Sequence, residues 1–231
     1  MTKIFTNREF LDFYNGSSKK LFQDCDFNRC HFINCAVSST TKPKRRSTAR
    51  NITFRQCEVT GCLIDTVIAE DILIDGLKTN GLLQSWAAVF KHVVIQGNIG
   101  EIMISPLVAT GMAKPEEQAA FDEANAAYYQ TVDWALDISE ARFVECDIRN
   151  VPARLIRRDP HSQAVVTREK ALLGAWKQLD LSDTYWAEWI QLFLDAGEPD
   201  VVLVAPKRHP RYWVLLDGIK KLRDAGVAEL D

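Results

Sequence analysis

Apolar residues in this chain recur every five positions, a period that belongs to neither a helix nor a half-buried strand. Cys25, Cys30 and Cys35 stand five apart, and Phe27, Phe32 and Val37 each follow two positions later. The spacing resumes with Cys57 and Val59, Cys62 and Ile64, Val67 and Ala69, Ile72 and Ile74, and Leu77 and Thr79, and it ends near Leu82. An amphipathic helix repeats near 3.6 residues and a half-buried strand at 2, so neither sustains a period of 5. A short fixed period over many units predicts a solenoid, in which each unit covers the apolar face of the next. After Leu82 the phase slips by one residue: Val93, Asn98 and Met103 take the first position, with Ile95, Gly100 and Ser105 two residues on. A bulge or an altered corner produces such a slip. The spacing returns at Ala141 and Phe143, Cys146 and Ile148, and Val151 and Ala153.

Other stretches follow different patterns. Thr6 or Asn7 as N-cap, Glu9 in the first turn and Phe10, Leu11 and Phe13 behind it predict a short helix covering the N-terminal end of the solenoid. Cys35 and Cys57 are 22 residues apart, not a multiple of five, so residues 38–50 are expected to leave the coil as an exposed loop. That loop holds five cations and no carboxylate. Pro115, Glu116 and Glu117 open a helix over about 115–134, with an apolar stripe from Ala119 to Ala135. Because the five-residue spacing resumes beyond it, this helix is an excursion from one continuous solenoid. From residue 156 the composition changes. Helices are predicted over 167–179, with Thr167 as N-cap, over 183–196, ending at Gly197, and from Arg211 to near Gly226. Val201–Val204 reads as a short apolar strand or extended run.

The runs CDFNRCHFINCAVS and CEVTGCLIDTVIAEDILIDGLKTNGL resemble a degenerate pentapeptide-repeat protein. In that family the central residue of each five is Leu or Phe, and the residue two before it is small. Phe27, Phe32, Val37, Phe54, Val59, Ile64 and Ile74 match the central position; Cys25, Cys30, Cys35, Cys57 and Cys62 match the small one. The resemblance spans residues 22–37, 52–83, more weakly 88–105, and 136–153. It implies a right-handed quadrilateral β-helix with four pentapeptides per coil. The expected fold is therefore a β-solenoid of this pentapeptide-repeat-like kind over residues 1–155, with the basic loop 38–50 and an inserted α-helix within 107–134. An α-helical C-terminal subdomain over 156–231 is expected to pack on the solenoid.

Composition narrows function only a little. Twenty-eight Lys and Arg against 31 Asp and Glu leave a formal net charge of −3, which exerts no global pull toward nucleic acid or anionic membrane. No run approaches the ~20 apolar residues of a membrane span, and a cytoplasmic location with no membrane partner is expected. The six cysteines lack zinc-knuckle spacing and read as inward packing, so neither a metal nor a cofactor is expected. No glycine-rich phosphate loop, nucleophile elbow or zinc helix occurs, and His31, His92, His161 and His209 are scattered.

Three functional readings follow. In the first, the chain is a non-catalytic protein-binding protein that docks through an acidic stripe of Glu58, Asp65, Glu70, Asp71 and Asp75. The resemblance implies an immunity or protection factor, with a toxin or a topoisomerase-like target as partner, and an apolar end coil or the inserted helix offers a route to a homodimer. In the second, it binds nucleic acid or another anion. The cations would be Lys42, Lys44, Arg45 and Arg46 in the loop, and Lys207, Arg208, His209 and Arg211 before a helix, joined by Arg157, Arg158 and His161. The third is an enzyme with its site between the solenoid and the C-terminal helices.

Overall fold

The five-residue spacing is a property of the backbone as well as of the side chains. The computed structural model describes residues 1–16, 19–109, 113–149 and 151–229. In it Asn51, Gln56, Gly61, Thr66, Asp71, Gly76 and Gly81 all have φ between 49° and 86°. Each left-handed residue turns the chain, and the next residue, Ile52, Cys57, Cys62, Val67, Ile72 or Leu77, begins a new straight segment. Left-handed backbone costs an L-residue roughly 1–2 kcal/mol, least for Asn and Asp. The asparagines, aspartates and glycines at these corners are thus the local part of the fold code.

The straight segments form a parallel sheet of fourteen strands, among the described residues. One column of paired residues runs Lys3, Cys25, Ile52, Ile72, Val93, Leu136 and Ile156. The step from Ile52 to Ile72 is 20 residues, four segments of five. From Cys25 to Ile52 it is 27, because residues 38–47 leave the ladder, and from Val93 to Leu136 it is 43, because a helix intervenes. The architecture is a curled, solenoid-like parallel sheet with helices added, and the inserted helix interrupts one continuous ladder. Along the interior, Phe5, Phe27 and Phe54 stack at 5.1 and 5.2 Å, with Phe10 on Phe32 at 5.0 Å beside them. Toward the other end Ile99, Leu136 and Phe143 are fully buried, each contributing about 1.5–3 kcal/mol.

The slip after Leu82 is present: the corner after Gly81 comes at Ala87, six residues on, then at His92 and Gly97. A second irregularity lies between Gln96 and Ile99. Asn98 is consequently exposed and Met103 only half-buried, and Ile99, Ile102 and Ile104 fill the interior in their place.

The N-terminal helix is not formed. Lys3–Thr6, Glu9–Leu11 and Tyr14–Asn15 are strands of a first coil, with Asn7 and Asp12 as left-handed corners. Phe10 and Leu11 therefore stand on a strand and Phe13 follows the Asp12 corner, and Phe5 and Phe10 join the phenylalanine stacks. The segment 38–50 is not a free arm either. It makes a 3-10 turn at Pro43–Arg45 and joins the sheet from Thr48, with Ser38, Thr40, Arg46 and Ser47 buried. Ser47 donates to Asn15 and accepts from the Lys20 amide, while its own amide donates to Ser38.

The inserted helix α1 spans Pro115–Tyr129, with the Glu117 carboxylate accepting from the Lys114 amide at 2.9 Å. Beyond the last parallel strand, Ile156–Arg157, the chain forms an antiparallel sheet of three strands, Gln163–Thr167, Asp200–Val204 and Ala228–Glu229. On it pack α2 (Arg168–Leu172), α3 (Trp186–Asp195) and α4 (Tyr212–Asp224). This unit is not simply helical. Val165, Val202 and Val204 face the solenoid core, and Ala164, Val166, Val201 and Leu203 face the helices. A strand buried on both faces has no reason to alternate, which explains the uninterrupted Val201–Val204 run. Thr167 caps α2 as its sequence suggests, accepting from the Lys170 amide, but Gly174 at φ 78° ends that helical stretch early. Among the described residues no helix is long and apolar enough to cross a membrane.

The inward cysteines give a direct check. Cys30, Cys57 and Cys146 are buried, and Cys57 donates from Sγ to the Phe27 carbonyl of the neighbouring coil. Burial pushes the Cys57 and Cys146 thiols up. These thiols are expected to resist a maleimide reagent in the native protein and to react fully in denaturant. Rapid native labelling of Cys57 would show that the coil register is wrong.

Candidate interaction surfaces

A stacked coil places residues about twenty apart in sequence side by side, and this arrangement decides the fate of both charged stretches. Arg50 donates from Nε to Glu70 at 2.7 Å, and the Tyr128 hydroxyl donates to the same carboxylate at 3.2 Å. Glu58 receives Lys78 at 3.0 Å and Asn80 at 2.7 Å, which together hold its carboxyl below the usual range. Asp71 lies 3.1 Å from His92. Asp65 is buried at 4% exposure and has no outward face. Asp75 is half-buried and stands in register with Arg55 on one side and Gln96 on the other. The five carboxylates do not form a bare acidic stripe: Glu70, for one, stands between Arg50 and Lys91 in the ladder.

The basic residues are likewise divided. Lys42, Lys44 and Arg45 are exposed, but Arg46 is buried at 5% exposure. Its guanidinium donates to the Ala87 carbonyl at 2.8 Å and to Asn125 of α1, and lies 4.6 Å over the Phe121 ring. Burial lowers its pKa to about 10, with Tyr129 and Tyr128 opposing. Arg46 braces the inserted helix against the coil and is not available to an external anion.

In the C-terminal group Lys207 pairs with Asp159 at 2.9 Å. Burial of Asp159 is outweighed by Ser162, the His161 amide and Lys207, which hold its pKa at about 2. Arg208 donates to the Phe143 and Ile99 carbonyls, stitching its turn to the solenoid. His209 accepts from the Arg211 amide, and His161 and Arg211 are exposed. Arg158 donates to the Ala153 and Ile156 carbonyls. Arg157 lies 4.0 Å over the Trp134 ring and 3.9 Å from Asp137. Lys207, Arg208, Arg158 and Arg157 thus serve separate internal contacts.

Two features were not singled out from the sequence. The first is a corner ladder in which His92 bridges Asp71 and Asp133, at 3.1 and 2.7 Å, with the Trp134 ring 4.7 Å away. Rows of twenty, shifted by one residue for the slip after Leu82, would have aligned Asp71 with His92, 21 residues on. The second is the first coil itself. Among the described residues its first two strands pair on one side, Lys3–Thr6 with Leu21–Asn28 and Glu9–Leu11 with His31–Ile33, and Tyr14–Asn15 pairs with Ala36–Val37. Ile4 is 72% exposed and Tyr14 66%, and Leu11 and Phe13 are also exposed. At the opposite end the antiparallel sheet covers the last coil. Among the described residues no group of three or more His, Cys, Asp or Glu is placed to hold a metal ion. Comparison with family models, with curated proteins and with solved structures finds no match to this chain.

Proposed function

We propose that the chain is a non-catalytic protein-binding protein whose parallel sheet closes into a right-handed, four-sided β-helix. The left-handed corner at every fifth residue and the 20-residue step between Ile52 and Ile72 support the closed form. The observation that carries the functional reading is the difference between the two ends. One end is sealed by the C-terminal unit. The other presents, among the described residues, the open edges of Lys3–Thr6 and Glu9–Leu11, with Ile4, Leu11 and Tyr14 exposed beside them. Unpaired edges recruit an extended segment of another chain through main-chain hydrogen bonds, and side chains beside the edge choose which segment. A preformed edge of this kind leaves little to be ordered on binding. Within this reading, the pentapeptide-repeat resemblance implies a protective role, with a toxin or a topoisomerase-like enzyme as the partner.

The test uses the tagged chain as bait in lysate of its native host at moderate salt, beside an Ile4→Lys, Leu11→Lys variant that melts at the same temperature. The expected result is one stoichiometric protein retained by the parent and lost from the variant, its identity deciding between toxin and topoisomerase-like target. Equal retention by both baits would move the binding away from the first coil. Retention of nucleic acid that falls steeply with salt would replace this reading with the anion-binding one.

A further inference from the structure

Two clefts on the C-terminal unit meet at Thr184. One, of about 310 Å³, lies between the Asp180–Thr184 turn and the start of α4. The other, of about 340 Å³, lies between Trp176–Leu181 and the start of α3. The wall they share is firmly held. The Thr184 hydroxyl donates to the Leu181 carbonyl at 2.8 Å and accepts from the Trp186 amide at 3.3 Å. Gly218 lets α4 approach so closely that a Cβ there would sit 2.6 Å from Trp186 and 2.9 Å from Thr184.

The first cleft combines an aromatic face with negative charge. Trp213 is 73% exposed, although tryptophan is among the residues that gain most from burial. Around it stand Asp180, Asp183 and Asp217 against the single cation Lys221. Lys221 is already engaged with the Asp217 carboxylate at 3.1 Å and the Asp180 carbonyl at 3.2 Å. The cleft keeps an excess of negative charge beside an open indole ring, a pairing that favours a cation laid on the ring face. Beyond Thr184 the second cleft is lined by Leu179, Leu181 and Ala187, with Lys177 and Glu188 balancing each other.

We propose that the two clefts form one docking groove for a basic, amphipathic segment of a partner protein. A guanidinium or ammonium lies over Trp213 between Asp183 and Asp217, and an apolar side chain a few residues away enters between Leu179 and Ala187. Charge complementarity selects the sign of the partner, and the exposed tryptophan acts as the central anchor, the role tryptophan most often takes at interfaces. The groove is separate from the first coil, so its failure leaves the first-coil reading standing, and the reverse holds as well.

The test is selection of a phage-displayed library of random dodecapeptides on the intact protein, followed by fluorescence anisotropy with synthetic copies of the enriched sequences. Enriched sequences are expected to carry Arg or Lys close to Leu, Ile or Phe and to be depleted of Asp and Glu. Their binding is expected to weaken about tenfold or more in Trp213→Ala and in Asp183→Asn, Asp217→Asn, and to be unchanged in the Ile4→Lys, Leu11→Lys variant. Both groove variants alter exposed side chains, and their melting temperatures report whether the unit is intact. No enrichment, enrichment of acidic sequences, or peptides that bind Trp213→Ala as tightly as the parent would each overturn the proposal. A parent protein that sediments as a dimer, and as a monomer only on Trp213→Ala, would also overturn it, by giving the groove to a second copy of the chain.

Discussion

Trp186→Ala is expected to cost the C-terminal unit about 3–5 kcal/mol and to split thermal unfolding into two transitions. The indole is completely buried, donates from Nε1 to the Leu215 carbonyl at 2.9 Å, and fills the space that Gly218 leaves open. Its apolar neighbours, Ile190, Phe193, Leu215 and Ile219, belong to a cluster distinct from that of the solenoid. Among the described residues the valine face of the sheet, Val165, Val202 and Val204, joins the solenoid core. Loss of the tryptophan should therefore release this unit at a temperature lower by ten degrees or more (roughly 4–8 °C for each kcal/mol in a domain of this size) while the coils persist. Calorimetry reads the two transitions. Thiol labelling gives the location, because Cys146 lies in the core beneath the valine face and Cys30 lies far down the ladder. Cys146 should gain reactivity at a temperature where Cys30 stays protected. A single transition at the parent temperature would mean that the two clusters unfold as one body.

Asp65→Asn is expected to stabilise the protein at neutral and higher pH but not at pH 4. The Asp65 carboxylate is buried, and its Oδ1 has no hydrogen-bond partner. Burial pushes its pKa from the ordinary 3.8 up to about 6, against a smaller opposing effect of the Ser39 hydroxyl. The folded state thus holds this proton more tightly than the unfolded chain does. The contribution is fully favourable below pH 3.8 and is lost as pH rises through about 6. Its size is about 1–3 kcal/mol, the lower figure allowing for solvent screening of the residual charge. An amide cannot ionise, so the stability difference between Asp65→Asn and the parent should be near zero at pH 4 and reach its plateau above pH 7. Denaturant midpoints across that range measure it. A difference independent of pH would show that Asp65 keeps its charge when folded.

The coil interior was legible because cysteine, valine and isoleucine fill the position after each corner, and a five-residue spacing has no competing explanation. The first coil was missed because Lys3 and Arg8 occupy the small positions there. The spacing of Phe5 and Phe10 was then the only sign, and Phe10, Leu11 and Phe13 also satisfy a helix. Gln163–Thr167 gives no strand signal in the sequence, since a strand of five residues buried on both faces carries no alternation. The acidic stripe and the basic arm were both legible as composition and misleading as surfaces. Charges that look unopposed along the chain are opposed across it: Glu70 by Arg50 and Glu58 by Lys78, each one coil away. Arg46 could not be placed from sequence, because its partners Ala87 and Asn125 come from a distant corner and from the inserted helix.

The paired column from Lys3 to Ile156 has a metric consequence. Its seven members are separated by six ladder steps. At about 4.8 Å for each step they hold the two ends of the sheet roughly 30 Å apart. The protein is in this sense a ruler, graduated by hydrogen bonds. A partner gripping both the open end and the groove gains the advantage of linked binding only if its own two contact points span the ladder and the C-terminal unit beyond it. Shortening the ladder by one whole coil would leave each surface unaltered and change only the spacing between them.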